Sequence, residues 1–490
     1  MFNKITPEQA GVSSAKILKA LKRLEERGHA FHGIMMLKGE DAFLEAYWEP
    51  FKVDEPHRLY SVTKSYTAIA IGVLVDQGKV NLDDTFMSYF PEYDSDKVGE
   101  NLKKQTIRNM LTMQTALAPS YWFGAKPEDR LMHYVTTRSP REPGGYFDYD
   151  SEGTFALGCL VEKISGMPLL DFMRKYFLDE IGCSHSSKML KCPGGHSWGD
   201  SALIASLRDL ARFTKFVADK GEYNGKQLVS RKFMTEAVSN LSCPELFDNR
   251  SNHYGYGYYI WVPRDDSFSF FGMGHQFAIA IPEKELIFVC NSDNQNGEPN
   301  ICGNRLFEAV YDIFDEIDGP IAEDPAAYKE LTEYLNTRKL RAAFNVADDS
   351  MAEKITGKTF VCKENPMGWE KFKIDIDKKG GKITYTNAQG EKEIRFGMAE
   401  NVFQQFPQTG YSDEMGTKPG KDGHTYRCAA SAGWHAGNQL GIFVQIIDDY
   451  FGRLSMNFIF NNENTCSLNF KKGAEDFLNE YNGTAVAYAE

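Results

Sequence analysis

From Leu59 to Val75 the chain reads LYSVTKSYTAIAIGVLV, a Ser-x-x-Lys motif followed by an apolar run that ends before Asp76. Residues at i and i+3 share one face of an α-helix, so the Lys64 amine is predicted to lie against the Ser61 hydroxyl. The apolar run is shorter than the ~20 residues of a membrane span and predicts a buried helix. The motif therefore marks the buried start of a helix, where the N-terminus offers positive potential to an oxyanion.

The Ser-x-x-Lys pair can act as a nucleophile and its base only at a buried position of this kind. A serine hydroxyl is a poor nucleophile until a base takes its proton, and an amine with a reference pKa of ~10.4 can act as that base only where burial or a neighbour keeps it neutral. A second pair, Ser13 and Lys16, lies on a polar helix, where an N-cap serine and a solvated lysine are the simpler interpretation. The apolar surroundings favour Ser61 as the nucleophile.

A third proton-handling group is expected near this pair, and a tyrosine is the best candidate. Tyr149 follows the Pro/Gly-containing stretch 143–148 and precedes a helical pattern, which is typical of a rigid loop at a cleft. Tyr93 and Tyr385 begin similar three-residue patterns, in a polar loop and at a strand end. Tyr149 is therefore predicted to contact the pair, and a tyrosine that only packs against the core is the alternative.

A glycine-rich segment, FFGMGHQ from Phe270 to Gln276, lies between two strand-like runs. Gly272 and Gly274 allow the backbone to approach a ligand closely, so an N–H here is expected to join that of Ser61 in an oxyanion hole. A glycine-rich hairpin bend without a catalytic part is the alternative.

The composition narrows the classes of partner. With 55 Lys plus Arg against 68 Asp plus Glu, the 490-residue chain has a formal charge of −13, which argues against nucleic acid and anionic lipid. Nine scattered cysteines without a Cys-x-x-Cys pair indicate reduced thiols. The start of the chain shows no secretory signal, so the cytoplasm is the expected location.

Metal and cofactor chemistry have little support in the sequence. Cys183, His185, Cys192 and His196 are close along the chain and would offer four ligands, but an ordinary irregular loop is the favoured interpretation. The sequence contains no phosphate-binding glycine loop and no dinucleotide fingerprint. We therefore expect neither a metal nor a cofactor.

The pattern of apolar residues divides the chain into two domains. Residues 1–318 open with strand-like segments, continue with helices and return to strands, an α+β order in which distant strands share one sheet. A linker with a polar helix is expected over 319–350. From 351 to 490, apolar and polar residues alternate with period two, which predicts a small antiparallel barrel or sandwich.

Taken together, these motifs resemble the serine β-lactamase and penicillin-binding-protein superfamily. The resemblance is to its class C-like branch of esterases, D-aminopeptidases, 6-aminohexanoate-dimer hydrolases and acyltransferases, and it covers about residues 5–315. Further segments that carry it are 76–84, 106–112 and 206–213. It implies a first domain of the β-lactamase/transpeptidase type, an antiparallel sheet flanked by helices with an added helical subdomain.

The resemblance also assigns roles to individual residues. Ser61 looks like the acylated nucleophile, Lys64 like the group that activates it, and Tyr149 like the proton shuttle to the leaving group. The N–H groups of Ser61 and Met273 would form the oxyanion hole.

Two departures from the family pattern bear on the substrate. Phe270 stands where the family has a Lys or His that commonly anchors a substrate carboxylate, and Ser151 stands where the tyrosine motif usually has Asn. These departures make an ester, a neutral amide or an amino-terminal peptide a more plausible substrate than a β-lactam or a C-terminal D-Ala peptide. The residues expected to contact the substrate are Tyr121, Ser151, Gly272, Gly274 and His275. For His275 a hydrogen-bonded turn histidine is the alternative.

The sequence thus predicts a serine hydrolase that forms an acyl-enzyme with a small molecule or short peptide. One alternative is a β-lactamase or a D-Ala peptidase or transpeptidase, and another is a non-catalytic binding or sensing module on the same fold. The second domain is expected to cover the cleft or to mediate association, so a homo-oligomer is left open.

Overall fold

The computed structural model forms two compact units. The described residues are 2–117, 129–192, 194–244, 255–295, 299–346, 348–408, 425–474 and 478–490. The first unit comprises Met1–Asn294 with Glu298–Lys339, and the second comprises Gln295–Gly297 with Leu340–Glu490. Among the described residues, no helix combines the length and the apolar character needed to cross a membrane.

An eight-stranded sheet forms the centre of the first unit. The strands of this unit are β1 (Asn3–Lys4), β2 (Phe31–Lys38), β3 (Asp41–Tyr47), β4 (His57–Arg58), β5 (Lys188–Met189), β6 (Leu203–Ala205), β7 (Glu222–Tyr223), β8 (Lys226–Gln227), β9 (Gly255–Tyr256), β10 (Trp261–Arg264), β11 (Ser267–Gly272), β12 (Gln276–Ile281) and β13 (Leu286–Ser292). The order across the sheet is β1-β3-β2-β13-β12-β11-β10-β9, so early and late parts of the sequence pair. This is the α+β arrangement that the order of apolar patterns predicts.

Helices cover both faces of this sheet. The α-helices described in the first unit are α1 (Pro7–Ala10), α2 (Ser14–Glu26), α3 (Thr63–Asp76), α4 (Glu100–Lys104), α5 (Ile107–Leu111), α6 (Arg130–Thr136), α7 (Ser151–Ser165), α8 (Leu169–Met173), α9 (Leu207–Ala218), α10 (Arg231–Ala237), α11 (Pro299–Asp315) and α12 (Pro325–Asn336). On one face, apolar side chains of α2 and α11 such as Leu21 and Phe314 form a core with the strands. On the other face, α9 packs against β12 and β13.

The segment 319–350, predicted as a linker with a helix, contains α12. This helix packs against α2. Just after it, the Arg338 guanidinium pairs with Glu25 of α2 at 3.2 Å and lies 3.9 Å from the Tyr334 ring centre. The division between the two units falls after it, between Lys339 and Leu340.

The helix α3 is buried all round. Every residue from Thr63 to Leu74 is buried, and the helix packs against α7, α8 and α10. A helix without a polar face is stable only inside a core, which explains why its apolar run has no amphipathic period. A short 3₁₀ turn, Tyr60–Val62, precedes it and lies next to β11. The fold therefore brings the Ser61 turn to the end of β11, where the glycine-rich segment begins.

The described residues of the second unit form mainly strands, with a short helix, α13 (Ala352–Ile355), and a 3₁₀ turn, Asn479–Tyr481. Its strands are β14 (Thr359–Cys362), β15 (Lys371–Ile376), β16 (Gly380–Asn387), β17 (Gly390–Met398), β18 (Val402–Gln405), β19 (Arg427–Ala436), β20 (Gln439–Ile447), β21 (Phe451–Asn462), β22 (Thr465–Ala474) and β23 (Gly483–Ala489). Pairing between β17 and β19 closes nine of them into a barrel, and β18 lies beside β19. The predicted fold class is confirmed, and of the two all-β alternatives the barrel is present.

Candidate active site

The turn that carries Ser61 is held in an unusual conformation. Tyr60, directly before it, has φ of 48°, a left-handed conformation that non-glycine residues rarely adopt. The Arg58 guanidinium lies 4.5 Å from the Tyr60 ring centre, and both residues are almost completely buried. Such outliers persist only where the surrounding structure enforces them, and they concentrate at functional sites.

Lys64 lies one turn into the helix and points back toward Ser61. Its amine Nζ is 3.1 Å from Ser61 Oγ and donates to the backbone carbonyl of Asp200 at 2.9 Å. The Lys64 side chain is only 1% exposed. The hydroxyl and the amine predicted to touch are therefore at hydrogen-bond distance, in a site that excludes most water.

Asp200 also places its carboxyl beside the Lys64 amine, with Oδ2 at 4.0 Å from Nζ. Burial raises the pKa of Asp200, against the opposing effect of Lys64 and Arg130. Sequence reasoning missed this residue because it belongs to no motif and stands 136 positions after Lys64. Only the fold brings the two together.

Tyr149 lies at the same amine, with its ring centre 5.0 Å from Lys64 Nζ. The ring stacks on Trp261 at 6.0 Å between centres and an angle of 13°. The next residue, Asp150, caps α7 by accepting a hydrogen bond from the Gly153 N–H at 2.8 Å, so the loop is anchored to a helix start. Ser151 is the half-buried first residue of that helix.

The glycine-rich segment approaches the Ser61 turn from β11. A Cβ atom on Gly272 would stand 2.3 Å from the carbonyl oxygen of Leu59, so only glycine fits there. Gly274 has φ of 77°, and the Met273 carbonyl accepts from Gln276 Nε2 at 3.0 Å. The turn over residues 272–276 is thereby fixed at the edge of the site.

The structure places His275 and Phe270 in the packed interior. The His275 ring is 1% exposed and stacks on Phe277 and His29, at 5.2 and 5.4 Å between ring centres. Phe270 is completely buried and packs against Phe213 at 5.4 Å. This placement favours a packing role for His275, and the position at which the family carries a cation holds a core aromatic ring.

The other sequence candidates have different surroundings. Tyr121 lies outside the described residues. Tyr385 is in the barrel of the second unit, where its hydroxyl is 2.6 Å from that of Tyr481. In the part of the first unit that the structure describes, His196 is bound to Glu162 at 2.8 Å and His185 lies near Asp179. No group of three or more His, Cys, Asp or Glu among the described residues is arranged to hold a metal ion.

Two proteins of known description are similar in sequence. The chain is 24% identical over 242 residues to the 6-aminohexanoate-dimer hydrolase of Paenarthrobacter ureafaciens, covering 46% of this chain and 61% of that protein. It is 32% identical over 126 residues to the N-acetylmuramyl-L-alanine amidase of Bacillus subtilis (strain 168), covering 23% of this chain and 28% of that protein. The chain thus spans less than two thirds of either relative.

Solved structures show the same fold at low sequence identity. A Bacillus anthracis protein provisionally assigned as a 6-aminohexanoate-dimer hydrolase has a TM-score of 0.52 at 18% identity, over 61% of this chain and 81% of that one. A Bacteroides dorei DSM 17855 protein provisionally assigned as a beta-lactamase has a TM-score of 0.50 at 16% identity, over 61% of this chain and 98% of that one.

A model of the Beta-lactamase family matches residues 21–310, which is more than half of the chain. The matched span contains the Ser61 turn, Lys64, the Tyr149 loop and the Gly272 strand end, and it confirms the resemblance drawn from those motifs. The chain belongs to the beta-lactamase family.

Proposed function

We propose that this protein is a serine hydrolase that acts through an acyl-enzyme on a small ester, amide or short peptide. The observation that carries the proposal is the buried Lys64 amine, 3.1 Å from the Ser61 hydroxyl and 5.0 Å from the centre of the Tyr149 ring. A nucleophile, a base and a second proton carrier in one site are the requirements of acyl transfer. The relationship to an enzyme named as a 6-aminohexanoate-dimer hydrolase supports the same chemistry.

The proposed reaction has two stages. Ser61 Oγ attacks the carbonyl carbon while its proton passes to Lys64 Nζ, and the N–H groups of Ser61 and Met273 stabilise the oxyanion that forms. As the bond to the leaving group breaks, Tyr149 donates a proton to that group and recovers one from Lys64. A water molecule then repeats the attack on the ester of Ser61, which releases the acid and restores the hydroxyl.

The absence of a cation at Phe270 guides the choice of substrate. A buried phenylalanine offers no charge to a substrate carboxylate, so substrates that lack a carboxylate next to the scissile bond suit this site better than β-lactams or D-Ala peptides. We propose that Ser151, Gly272 and Gly274 border the bound substrate, and Tyr121 stays a candidate from the sequence alone. Location in the cytoplasm and self-association through the second unit belong to the same proposal.

Covalent labelling of Ser61 tests the class of enzyme directly. The protein is treated with a fluorophosphonate and, separately, with a penicillin, and adducts are located by mass spectrometry of peptides. A phosphonate adduct on Ser61 without a penicilloyl adduct is the expected result. Both adducts would identify a β-lactamase or D-Ala peptidase, and neither adduct would identify a binding or sensing module and refute the proposal.

Adding a methyl group at Gly272 is expected to slow turnover. In Gly272→Ala the new carbon would meet the Leu59 carbonyl at 2.3 Å, and because this neighbour is backbone, the strand end and the Ser61 turn must separate. Displacing one oxyanion donor costs about 10²–10³-fold in kcat. The measurement is hydrolysis of p-nitrophenyl acetate. Gly319→Ala, where a Cβ meets nothing within 4 Å, is the matched control and should retain the wild-type rate.

A further inference from the structure

The carbonyl that accepts from the Lys64 amine belongs to one buried turn of the chain. Residues 198–202, which we call the carbonyl turn, form a single helical turn, in which the Ala202 N–H donates to the Trp198 carbonyl at 3.1 Å. The last carbonyls of a helical turn have no partner inside it and point to the same side. In the carbonyl turn these belong to three buried residues, Gly199, Asp200 and Ser201. Each of them needs a donor from another part of the chain.

Side chains from the segment that carries the nucleophile supply these donors. The donors to the carbonyls of residues 199, 200 and 201 are, in that order, Thr67 Oγ1 at 2.7 Å, Lys64 Nζ at 2.9 Å and Arg58 Nε at 3.0 Å. Thr67 lies three residues after Lys64 on α3, so the two side chains share one face of the helix. The amine is thus the middle contact of three, and the carbonyl that accepts from it is flanked on both sides by a carbonyl that is itself held.

Arg58 fixes one side of the carbonyl turn. It is 0% exposed, and its guanidinium lies 5.0 Å from the ring centre of Trp198, which begins the turn, and 4.5 Å from that of Tyr60. Contacts with two rings in addition to the hydrogen bond leave this side little room to move. Because Tyr60 directly precedes Ser61, this side of the turn is also tied to the nucleophile.

Thr67 holds the other side of the carbonyl turn. Among the described residues, the Gly199 carbonyl accepts from Thr67 Oγ1 alone, and Thr67 is 0% exposed. A Cβ atom on Gly199 would lie 3.4 Å from Thr67 Oγ1 and 2.8 Å from Leu169 Cδ2, so glycine lets the turn come this close to α3. A buried carbonyl without a donor is costly, so loss of the hydroxyl would let this side of the turn move toward another donor.

We propose that Thr67 is a positioning residue for Lys64. Its hydroxyl keeps the Asp200 carbonyl at the place that holds the amine 3.1 Å from Ser61 Oγ. A lysine has a flexible four-carbon stem, so the position of its amine depends on what the amine binds. Movement of the turn about its contact with Arg58 would carry the amine away from Ser61, and a misplacement of ~1 Å costs about 10²-fold in rate. The inference rests on the proposed function, in which Lys64 is the base for Ser61.

Two substitutions of Thr67 separate its hydroxyl from its bulk. Thr67→Val keeps the branched shape and removes the donor, whereas Thr67→Ser keeps the donor and removes a methyl group. The rate of phosphonylation of Ser61 by a fluorophosphonate is measured on the full chain by mass spectrometry, with the thermal unfolding midpoint of the same preparation. We expect Thr67→Val to be labelled about tenfold more slowly than the wild type and Thr67→Ser within about twofold of it. Both variants should be less stable, so a rate that follows the hydroxyl is not explained by stability.

A buried threonine on another helix provides the matched control. Thr214 on α9 is 0% exposed, and its Oγ1 donates to the Leu210 carbonyl at the same distance of 2.7 Å. Thr214→Val should leave the labelling rate within about twofold of the wild type. A double variant shows whether Thr67 acts through Lys64. Added to Lys64→Met, Thr67→Val should slow labelling by less than about twofold more, because the amine that it positions is absent.

Each outcome bears on the inference or on its basis. No Ser61 adduct in the wild-type chain refutes the proposed function itself. With the wild type labelled, a rate for Thr67→Val within about threefold of that for Thr67→Ser overturns the role of the hydroxyl. An equal slowing by Thr67→Val in the wild-type and Lys64→Met chains overturns it as well. If circular dichroism shows that Thr67→Val does not fold, Thr67→Ala is compared with Thr67→Ser under the same limit, since these two differ by the hydroxyl alone.

Discussion

Ser61→Ala is expected to abolish turnover of p-nitrophenyl acetate, with a loss of about 10⁴-fold or more in kcat, and to remove the phosphonate adduct. The reason is that the methyl group leaves the Lys64 amine with no hydroxyl to deprotonate at 3.1 Å. Stability should change little, because Ser61 is only half-buried and the substitution removes a single hydrogen bond, the one from Lys64 Nζ. The measurements are the initial rate and the thermal unfolding midpoint of the same preparation.

The second Ser-x-x-Lys sequence provides the matched control. Ser13 caps α2, accepting a hydrogen bond from the Lys16 N–H at 3.2 Å, and Lys16 pairs with Glu316 at 2.6 Å. Ser13→Ala should cost about 1 kcal/mol of stability through the lost cap and leave kcat unchanged. Turnover that survives in Ser61→Ala, or disappears in Ser13→Ala, would contradict the assignment of the nucleophile.

Local spacing explains which parts of the site the sequence could predict. Ser61 and Lys64 are three residues apart on a helix, so their contact follows from helical geometry alone. Asp200 reaches the same amine from a distant loop, and no period or motif relates the two positions. Contacts of this kind depend on how α3 packs against its neighbours, which a single sequence does not specify.

Backbone conformation also limits how well the strands can be predicted from the sequence. The run Tyr256–Val262 reads as one strand, but Tyr259 has φ of 55° and divides it into β9 and β10. Its buried carbonyl accepts a hydrogen bond from Ser65 Oγ at 2.8 Å, a tertiary contact that offsets the conformational strain at Tyr259. In the second unit, alternation predicts the strands, while closure through the β17–β19 pairing depends on long-range register.

Lys64→Met is expected to lower the labelling rate of Ser61 by about 10²–10⁴-fold, the usual worth of a positioned general base. It should also destabilise the fold in a way that depends on pH. The substitution removes the nearest cation from Asp200, whose carboxyl is 3% exposed, and breaking a buried pair typically costs about 3–5 kcal/mol. Methionine fills much the same volume, so the lost charge dominates over the lost packing.

The direction in which the stability of Lys64→Met changes with pH follows from the Asp200 carboxyl. Its folded-state pKa is raised by burial and is held down in part by Lys64, so the variant raises it further. A carboxyl that binds its proton more tightly when folded loses stability as the pH rises from its unfolded value of ~3.9 through its folded value. The deficit of Lys64→Met relative to wild type should therefore be small near pH 4 and grow toward pH 8, as measured by urea unfolding at each pH.

A double variant separates this electrostatic effect from loss of packing. In Lys64→Met with Asp200→Asn the Asp200 carboxyl is lost as well, so most of the pH-dependent part of the deficit should disappear and stability at pH 8 should recover by about 1–3 kcal/mol over Lys64→Met alone. A deficit of equal size at pH 4 and pH 8, unchanged by Asp200→Asn, would mean that Lys64 stabilises the fold by filling space.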